Sequence, residues 1–299
     1  MTLLIGSLQL GLIYGLLALG VYIAFRILSI PDLTADGSFT LGLAVSAVLT
    51  VAGHPILGIF AALVAGAVAG TITGLLQTKM KVHPILAGII TMTGLYSINL
   101  FIMGVSSNVS LIGNETIFSM GANASNITKT LIAAIISVIV FMILMWFFKT
   151  QLGLSIRATG NNEDMVRASS INVDRVKIIA IAISNSCVAL SGAVLAQYQG
   201  FADISSGVGI MVIGLASVII GEVFLGKRSV TLGFAAAIIG SIVYRFIIAL
   251  ALRSSIFPAY ALKLVSAFIV AMALSIPVIK KNMQQRKIIR EGRKSAKNY

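Results

Sequence analysis

Long apolar runs, broken by short polar joints, dominate this chain. Seven of them, near residues 3–25, 56–78, 84–104, 127–149, 178–198, 230–250 and 259–279, are long enough for a membrane crossing. A helix rises 1.5 Å per residue, so roughly 20 apolar residues cross a hydrocarbon core of about 30 Å. Two more runs, 38–52 and 208–225, are shorter and rich in glycine. The pattern predicts an all-α, polytopic integral membrane protein with about nine crossing helices, eight to ten being the range. The first run has no Lys or Arg ahead of it. It therefore lacks the basic start of a secretory signal and reads as a retained helix.

Composition narrows the class. Of the 299 residues, 58% are hydrophobic and only 10% charged, and the mean hydropathy is +1.02. Soluble domains carry roughly 45–50% apolar residues, so a water-soluble fold is excluded. Twenty-two Lys and Arg face nine Asp and Glu, but eight of the basic residues fall in the last twenty positions, from Lys280 to Lys297. Such a cluster marks a cytoplasmic tail rather than a nucleic-acid partner. One transmembrane domain, 1–279, is expected, followed by a basic tail, 280–299, that membrane lipid headgroups attract. The single cysteine, Cys187, has no partner for an internal disulfide and lies in an apolar run, as a small core residue does.

Sidedness follows from the loops, because short basic loops stay cytoplasmic. Arg26, Lys79 and Lys81, the segment from Lys149 to Lys177, and Lys227 with Arg228 alternate with nearly uncharged loops around His54, Ser106 to Asn126 and Gly200 to Gly207. This predicts a plasma-membrane protein with its N-terminus outside and its C-terminus in the cytoplasm.

The two short runs share a pattern. Asp36, Ser38, Gly42 and Val45 recur with identical spacing as Asp203, Ser205, Gly209 and Val212. Five crossings separate the copies, so they face opposite sides, as in transporters built from inverted repeats with broken helices near 30–52 and 200–225. A break in a helix has to be buried in protein or line an aqueous path. Asp36, Ser38, Gly42, Asp203, Ser205 and Gly209 are thus candidates for the pathway; the plainer role for the Asp and Ser side chains is to satisfy freed backbone groups.

Residues 150–177 form the longest polar stretch within the membrane region. Its part Asn161 to Ser170 reads as a short amphipathic helix: Asn161 and Asn162 can cap it, Glu163 and Asp164 suit the first turn, and Met165, Ala168 and Ser169 form a mild apolar stripe for docking a partner. Arg157-Ala158-x-Gly160-x-Asn162, the run Ile171 to Lys177 and the later Ser191-Gly192-Ala193 resemble the coupling region of ABC permeases of the branched-chain amino acid and ribose type. The stretch Ile219 to Lys227 is similar to that family's glycine-rich penultimate loop, and Ile30 to Gly42 resembles a subgroup associated with binding proteins for amino acids, aromatic ones included.

The resemblance implies a division of labour. A separate ATPase uses the ATP, and this chain carries no cofactor or catalytic residue of its own. Arg157, Asn161, Asn162, Glu163, Asp164 and Arg167 would engage that ATPase. An extracytoplasmic solute-binding protein would deliver a small polar solute, and a second permease copy would complete the pathway as a homodimer. The alternative reading is a secondary transporter driven by an ion gradient, which would also show inverted repeats and buried charges.

Several motifs carry less than they suggest. Gly221 to Arg228 approaches a phosphate-binding loop, but Arg228 replaces the Ser or Thr that holds magnesium. His54 and His83 are isolated and each precedes a proline, so neither suggests a metal. Gly66, Gly70 and Gly74 share one helix face and favour close packing within the subunit. Glu222, Arg245 and Lys263 lie in or near spans and are functional candidates by cost alone; pairing or snorkelling is the plainer account.

Overall fold

The computed structural model describes residues 2–119, 125–226 and 229–253, with a few positions between 264 and 275. The chain divides into two compact units, Met1–Ala249 and Leu250–Tyr299. Apart from those few positions, the apolar run 259–279, Lys263 and the basic tail 280–299 lie outside the described residues. Within them, eight helices are long and apolar enough to cross a membrane.

Helix α1 (Thr2–Val21) widens into a π turn, Tyr22–Ile27, and then breaks. Ser29 sits at a left-handed φ of 57°, and Pro31 has no N–H to continue a helix. The side chain of Asp32 accepts from Thr34 N at 3.0 Å and starts α2 (Thr34–Val51). Helices α3 (Pro55–Thr78) and α4 (Pro84–Ile102) both begin on proline, whose fixed φ suits the first helical position. His54 and His83 are simply the residues before those starts.

Strand β1 (Asn108–Ser110) precedes α5 (Asn126–Phe147). Two short helices follow, α6 (Gln151–Asn161) and α7 (Glu163–Ala168), and then α8 (Val173–Gln199). Helix α8 starts five residues before the apolar run at 178, because Asn172 caps Arg175 N at 3.1 Å and lets polar residues form the first turns. Strand β2 (Phe201–Asp203) pairs antiparallel with β1, Asn108 opposite Asp203. A 3-10 turn, Ile204–Gly207, leads into α9 (Ile210–Leu225), and α10 (Val230–Arg253) follows. Gly226, at φ 77°, ends α9, so the described part of the phosphate-loop lookalike, Gly221 to Gly226, is a helix end.

Contacts define one end of the bundle. There α6 meets the end of α1, with Gly160 against Ile27 and Leu28. Glu163 of α7 reaches Lys177 of α8, and Glu222 of α9 reaches Arg26. At the opposite end lies the β1–β2 pair, and Gln197 donates to Pro55 O at 2.8 Å. Helices α2 and α9 run in opposite directions between these ends.

Helix α8 is the hub. Apolar helices gain no hydrophobic advantage by leaving lipid for one another, so close backbone packing and internal hydrogen bonds hold them together. Gly66, Gly70 and Gly74 of α3 press against Asn185, Ile181 and Ile178 of α8, which is the packing within the subunit expected of that stripe. A methyl group at Gly42 of α2 would overlap the carbonyl of Ala189, and one at Gly192 of α8 would overlap that of Phe39. Ser184 of α8 donates to Gly20 O of α1 at 2.7 Å, and Ser191 donates to Ile13 O at 2.8 Å.

Gly42→Ala is expected to lower the thermal midpoint of the detergent-purified protein, at a cost of about 1–3 kcal/mol from overpacking. Gly94→Ala is the control, since a methyl there meets open space and leaves the midpoint unchanged. Size-exclusion chromatography after stepwise heating measures both.

Candidate functional site

Two helices begin where no water is expected. Thr34, the first residue of α2, shares a hydrogen bond of 2.8 Å with Thr73 of α3, which donates to Thr91 of α4 at 2.9 Å. Thr91 lies about 11 Å along α4 from Pro84, inside a core of about 30 Å. Two residues on from Thr34, the Asp36 carboxylate accepts from Gly209 N at 2.9 Å and from Met211 N at 2.8 Å. An acidic side chain on α2 thus caps the start of α9. It satisfies donors that have no partner within their own helix and meets the positive end of the α9 dipole.

The approach is close because Gly207 has no side chain. A methyl group there would overlap Asp36 O and Thr40 Oγ1. Beside this junction lies a small cleft of about 40 Å³, lined by Asp36, Gly37 and Thr40 of α2, Met92, Tyr96 and Asn99 of α4, and the turn at Ile204, Gly207 and Val208. Asn99 donates to Gly37 O at 3.3 Å.

Of the six pathway candidates, only Asp36 and Gly209 come together here. Ser38 donates to Asn185 Oδ1 at 2.7 Å, in the seam between α2 and α8. Gly42 lies in the same seam, against Ala189. Asp203 accepts from Ser205 N at 2.7 Å and shapes the turn before α9. The matched segments therefore differ in conformation: Asp36 is the third residue of a helix, whereas Asp203 ends a strand. Both aspartates nonetheless serve freed backbone N–H groups.

Asp32 escaped the sequence reading. It is buried, and it accepts from Asn185 Nδ2 at 2.6 Å as well as from Thr34 N. Asp32, Asn185 and Ser38 form one buried chain of hydrogen bonds tying the break after α1 to α8. The signal available was Pro31-Asp32 two residues ahead of a threonine, a common turn and cap arrangement.

The polar segment folds as two helices. Thr150 starts α6, accepting from Gly153 N at 3.4 Å. Asn162 alone caps α7, accepting from Met165 N at 3.1 Å; Asn161, expected as a second cap, is instead the last residue of α6. A methyl group at Gly160 would overlap Ile27 O, which accounts for glycine at that place in the motif. Arg157 and Asn161 line a cavity of about 260 Å³ with Tyr22, Arg26 and Ser29. Met165, Asp164 and Arg167 are exposed on α7, while Val166 is buried.

Glu163 receives hydrogen bonds from Lys177 at 2.6 Å and from Arg167 at 2.7 Å. These two cations, Lys177 first, hold the Glu163 carboxyl below the ordinary carboxylate range. A lowered folded value means that the clamp is complete above the ordinary carboxylate range, neutral pH included, and is lost as pH falls through the lowered value. These part-exposed pairs are screened by water and salt, so they orient α7 on α8 more than they stabilise the fold.

The intramembrane charges find structural partners. Both Glu222 oxygens accept from the guanidinium of Arg26 in a bidentate pair, which joins the ends of α1 and α9. Arg245 lies over the ring of Tyr14, 3.6 Å from its centroid, in a cation–π contact.

Membrane helices that break midway around polar groups are a transporter plan. A polar helical pair held rigidly outside the spans suits a transporter worked by a second protein. The class is that of the permease subunit of an ABC importer. Residues 3–276 match the family of the branched-chain amino acid transport system permease component, and the chain belongs to that family. It is 37% identical over 265 residues to the tyrosine transport system permease protein of Clostridioides difficile (strain R20291), covering 88% of each chain. An uncharacterized protein of Rickettsia prowazekii (strain Madrid E) is 36% identical over 228 residues, 76% of this chain and 80% of that one. An autoinducer 2 import system permease protein of Yersinia pestis (strain Pestoides F) is 26% identical over 226 residues, 74% of this chain and 59% of that one. No solved structure matches. Membership displaces the ion-coupled carrier as an account of the chain.

Asp36→Ala strands the N–H groups of Gly209 and Met211, each worth about 1–3 kcal/mol when buried without a partner. The expected result is a lower thermal midpoint and faster amide exchange at the start of α9, with Asp36→Asn intermediate. Hydrogen–deuterium exchange in nanodiscs reads the change.

Proposed function

We propose that two copies of this chain line the pathway of an ABC importer for an amino acid, aromatic ones included. A separate ATPase drives it from the cytoplasm, and an extracytoplasmic binding protein supplies the solute. The observation that carries this reading is the pair α6 and α7, a rigid polar unit inserted between two spans and fastened to both α1 and α8. The tyrosine transport named for a relative at 37% identity supports an aromatic amino acid.

The mechanism follows from what this unit touches. Closure of the ATPase around nucleotide would displace α7, whose exposed Met165, Ala168 and Ser169 offer the docking surface. Glu163 and Lys177 carry that motion into α8, and Gly160 carries it into the end of α1. From there Arg26 and Glu222 reach α9, while Asn185 and Ser38 reach α2. Both routes end on the two helices that meet at Asp36, so a displacement at the docking surface would open or close the junction.

Basic residues gather at the α6–α7 end, which by the positive-inside rule supports a reading with that end in the cytoplasm, the N-terminus outside and the tail inside against anionic lipid. The chain itself would need no cofactor, ATP being consumed by its partner.

Replacing Asn161 to Ala168 by a Gly-Ser linker is expected to abolish tyrosine uptake in proteoliposomes and co-purification of the ATPase, with membrane insertion intact. Uptake at the unaltered rate would defeat the reading.

A further inference from the structure

Asn99, which lines the cleft beside Asp36, carries an acceptor that no described residue uses. Asn99 is 1% exposed, and its Nδ2 is committed to Gly37 O at 3.3 Å, which fixes Oδ1 as the other side of the amide. Oδ1 is buried and accepts from no donor among the described residues. Leaving such a group unpaired is costly, and buried polar side chains are paired in the great majority of cases.

The surroundings say which donor is missing. Among the described residues the cleft is lined by Asp36 and by no cationic side chain. The α9 N-terminus offsets part of the Asp36 charge through two N–H donations, but a carboxylate has about four acceptor positions and two are taken. Asp36 and Asn99, one with free carboxylate positions and the other with an unpaired acceptor, thus both line a space of about 40 Å³. That is room for a small polar head and not for a whole solute. Tyr96, 56% exposed, carries the cleft wall out to the exposed face of α4. Met92 to Asn99 lie about 12 to 23 Å along α4, well within the hydrocarbon depth.

We infer that this cleft is the subsite for the primary ammonium group of the transported amino acid, with Asn99 Oδ1 and the Asp36 carboxylate as its acceptors. This rests on the amino-acid importer reading and adds the recognition chemistry to it. The remainder of the solute stays outside the cleft, along the exposed side of Tyr96. Because Asp36 also caps α9, occupation by a cation adds a contact at the junction where α2 and α9 meet, which ties the solute to the moving part.

The test uses the full importer, permease with its ATPase and binding protein, in proteoliposomes. Wild-type uptake of tyrosine and other amino acids is measured first; failure to import any amino acid overturns the functional reading and the subsite with it. With uptake established, Asn99→Leu is expected to lower it by about tenfold to a hundredfold, the range for a hydrogen bond to a charged group. Asn99→Asp, whose neutral form still donates to Gly37 O and keeps an acceptor oxygen, is expected to stay within about threefold of wild type.

The permease–ATPase complex in nanodiscs supplies a second readout that needs no variant. It is expected to bind L-tyrosine in preference to 3-(4-hydroxyphenyl)propanoate, which lacks only the amino group, and Asn99→Leu is expected to abolish the preference. Should Asn99→Leu fail to assemble with the ATPase, the wild-type comparison decides. Wild-type uptake by Asn99→Leu, equal affinity of the wild-type complex for the two ligands, or occupation of the cleft by sodium ion alone would each overturn the assignment while leaving the importer reading in place.

Discussion

Helices α2 and α9 begin inside the hydrocarbon layer, where no water answers the free N–H groups of a first turn. Much of the architecture follows from meeting that demand. Asp32 serves the start of α2, and Asp36, carried on α2 itself, serves the start of α9. The second arrangement makes one helix depend on the position of the other. It requires α9 to approach α2 closely, which Gly207 permits, and it requires α2 to be held in place, which the contacts with α8 accomplish.

Close packing on α8 does more than stabilise. Glycines on α2 and α3 bring their backbones directly against α8 with no flexible side chain between them. The hydrogen-bonded chain from Asp32 through Asn185 to Ser38 adds direction to that contact, because each member has one geometry that satisfies it. On the proposed function, a bundle so joined would transmit a push at α7 without needing a long soft pathway. The Arg26–Glu222 pair adds a further tie, to α9, at the end nearest α6 and α7.

The sequence carried the crossing helices well, since apolar length and proline starts are local properties: the runs at 56–78 and 84–104 became Pro55–Thr78 and Pro84–Ile102. The breaks were legible as short glycine-rich runs, and Asn162 was legible as a cap. The partners of Asp36 were not, because Gly209 and Met211 lie more than 170 positions away. The ten-residue match pairs Asp36 with Asp203, but the two differ in conformation, for Asp36 lies in a helix and Asp203 in a strand and turn. Asn99 carried no local signal of its importance, and Asp32 carried only that of a turn and cap. An orphan acceptor or a buried carboxylate is defined by neighbours that only the fold brings near. Helix α6 was hidden by its polarity, and its motif glycine, Gly160, acquires its reason only from Ile27.

The account joins a docking surface outside the spans to a polar junction inside them, and its central claim is that α7 meets an ATPase. Met165, 56% exposed on α7, is the place to ask. A benzoylphenylalanine at Met165 should, on irradiation of membranes containing the assembled importer, form a covalent adduct with the ATPase chain. The same probe at Met142, equally exposed on the apolar face of α5, should form none. No adduct from Met165, or equal adducts from both positions, would contradict the account.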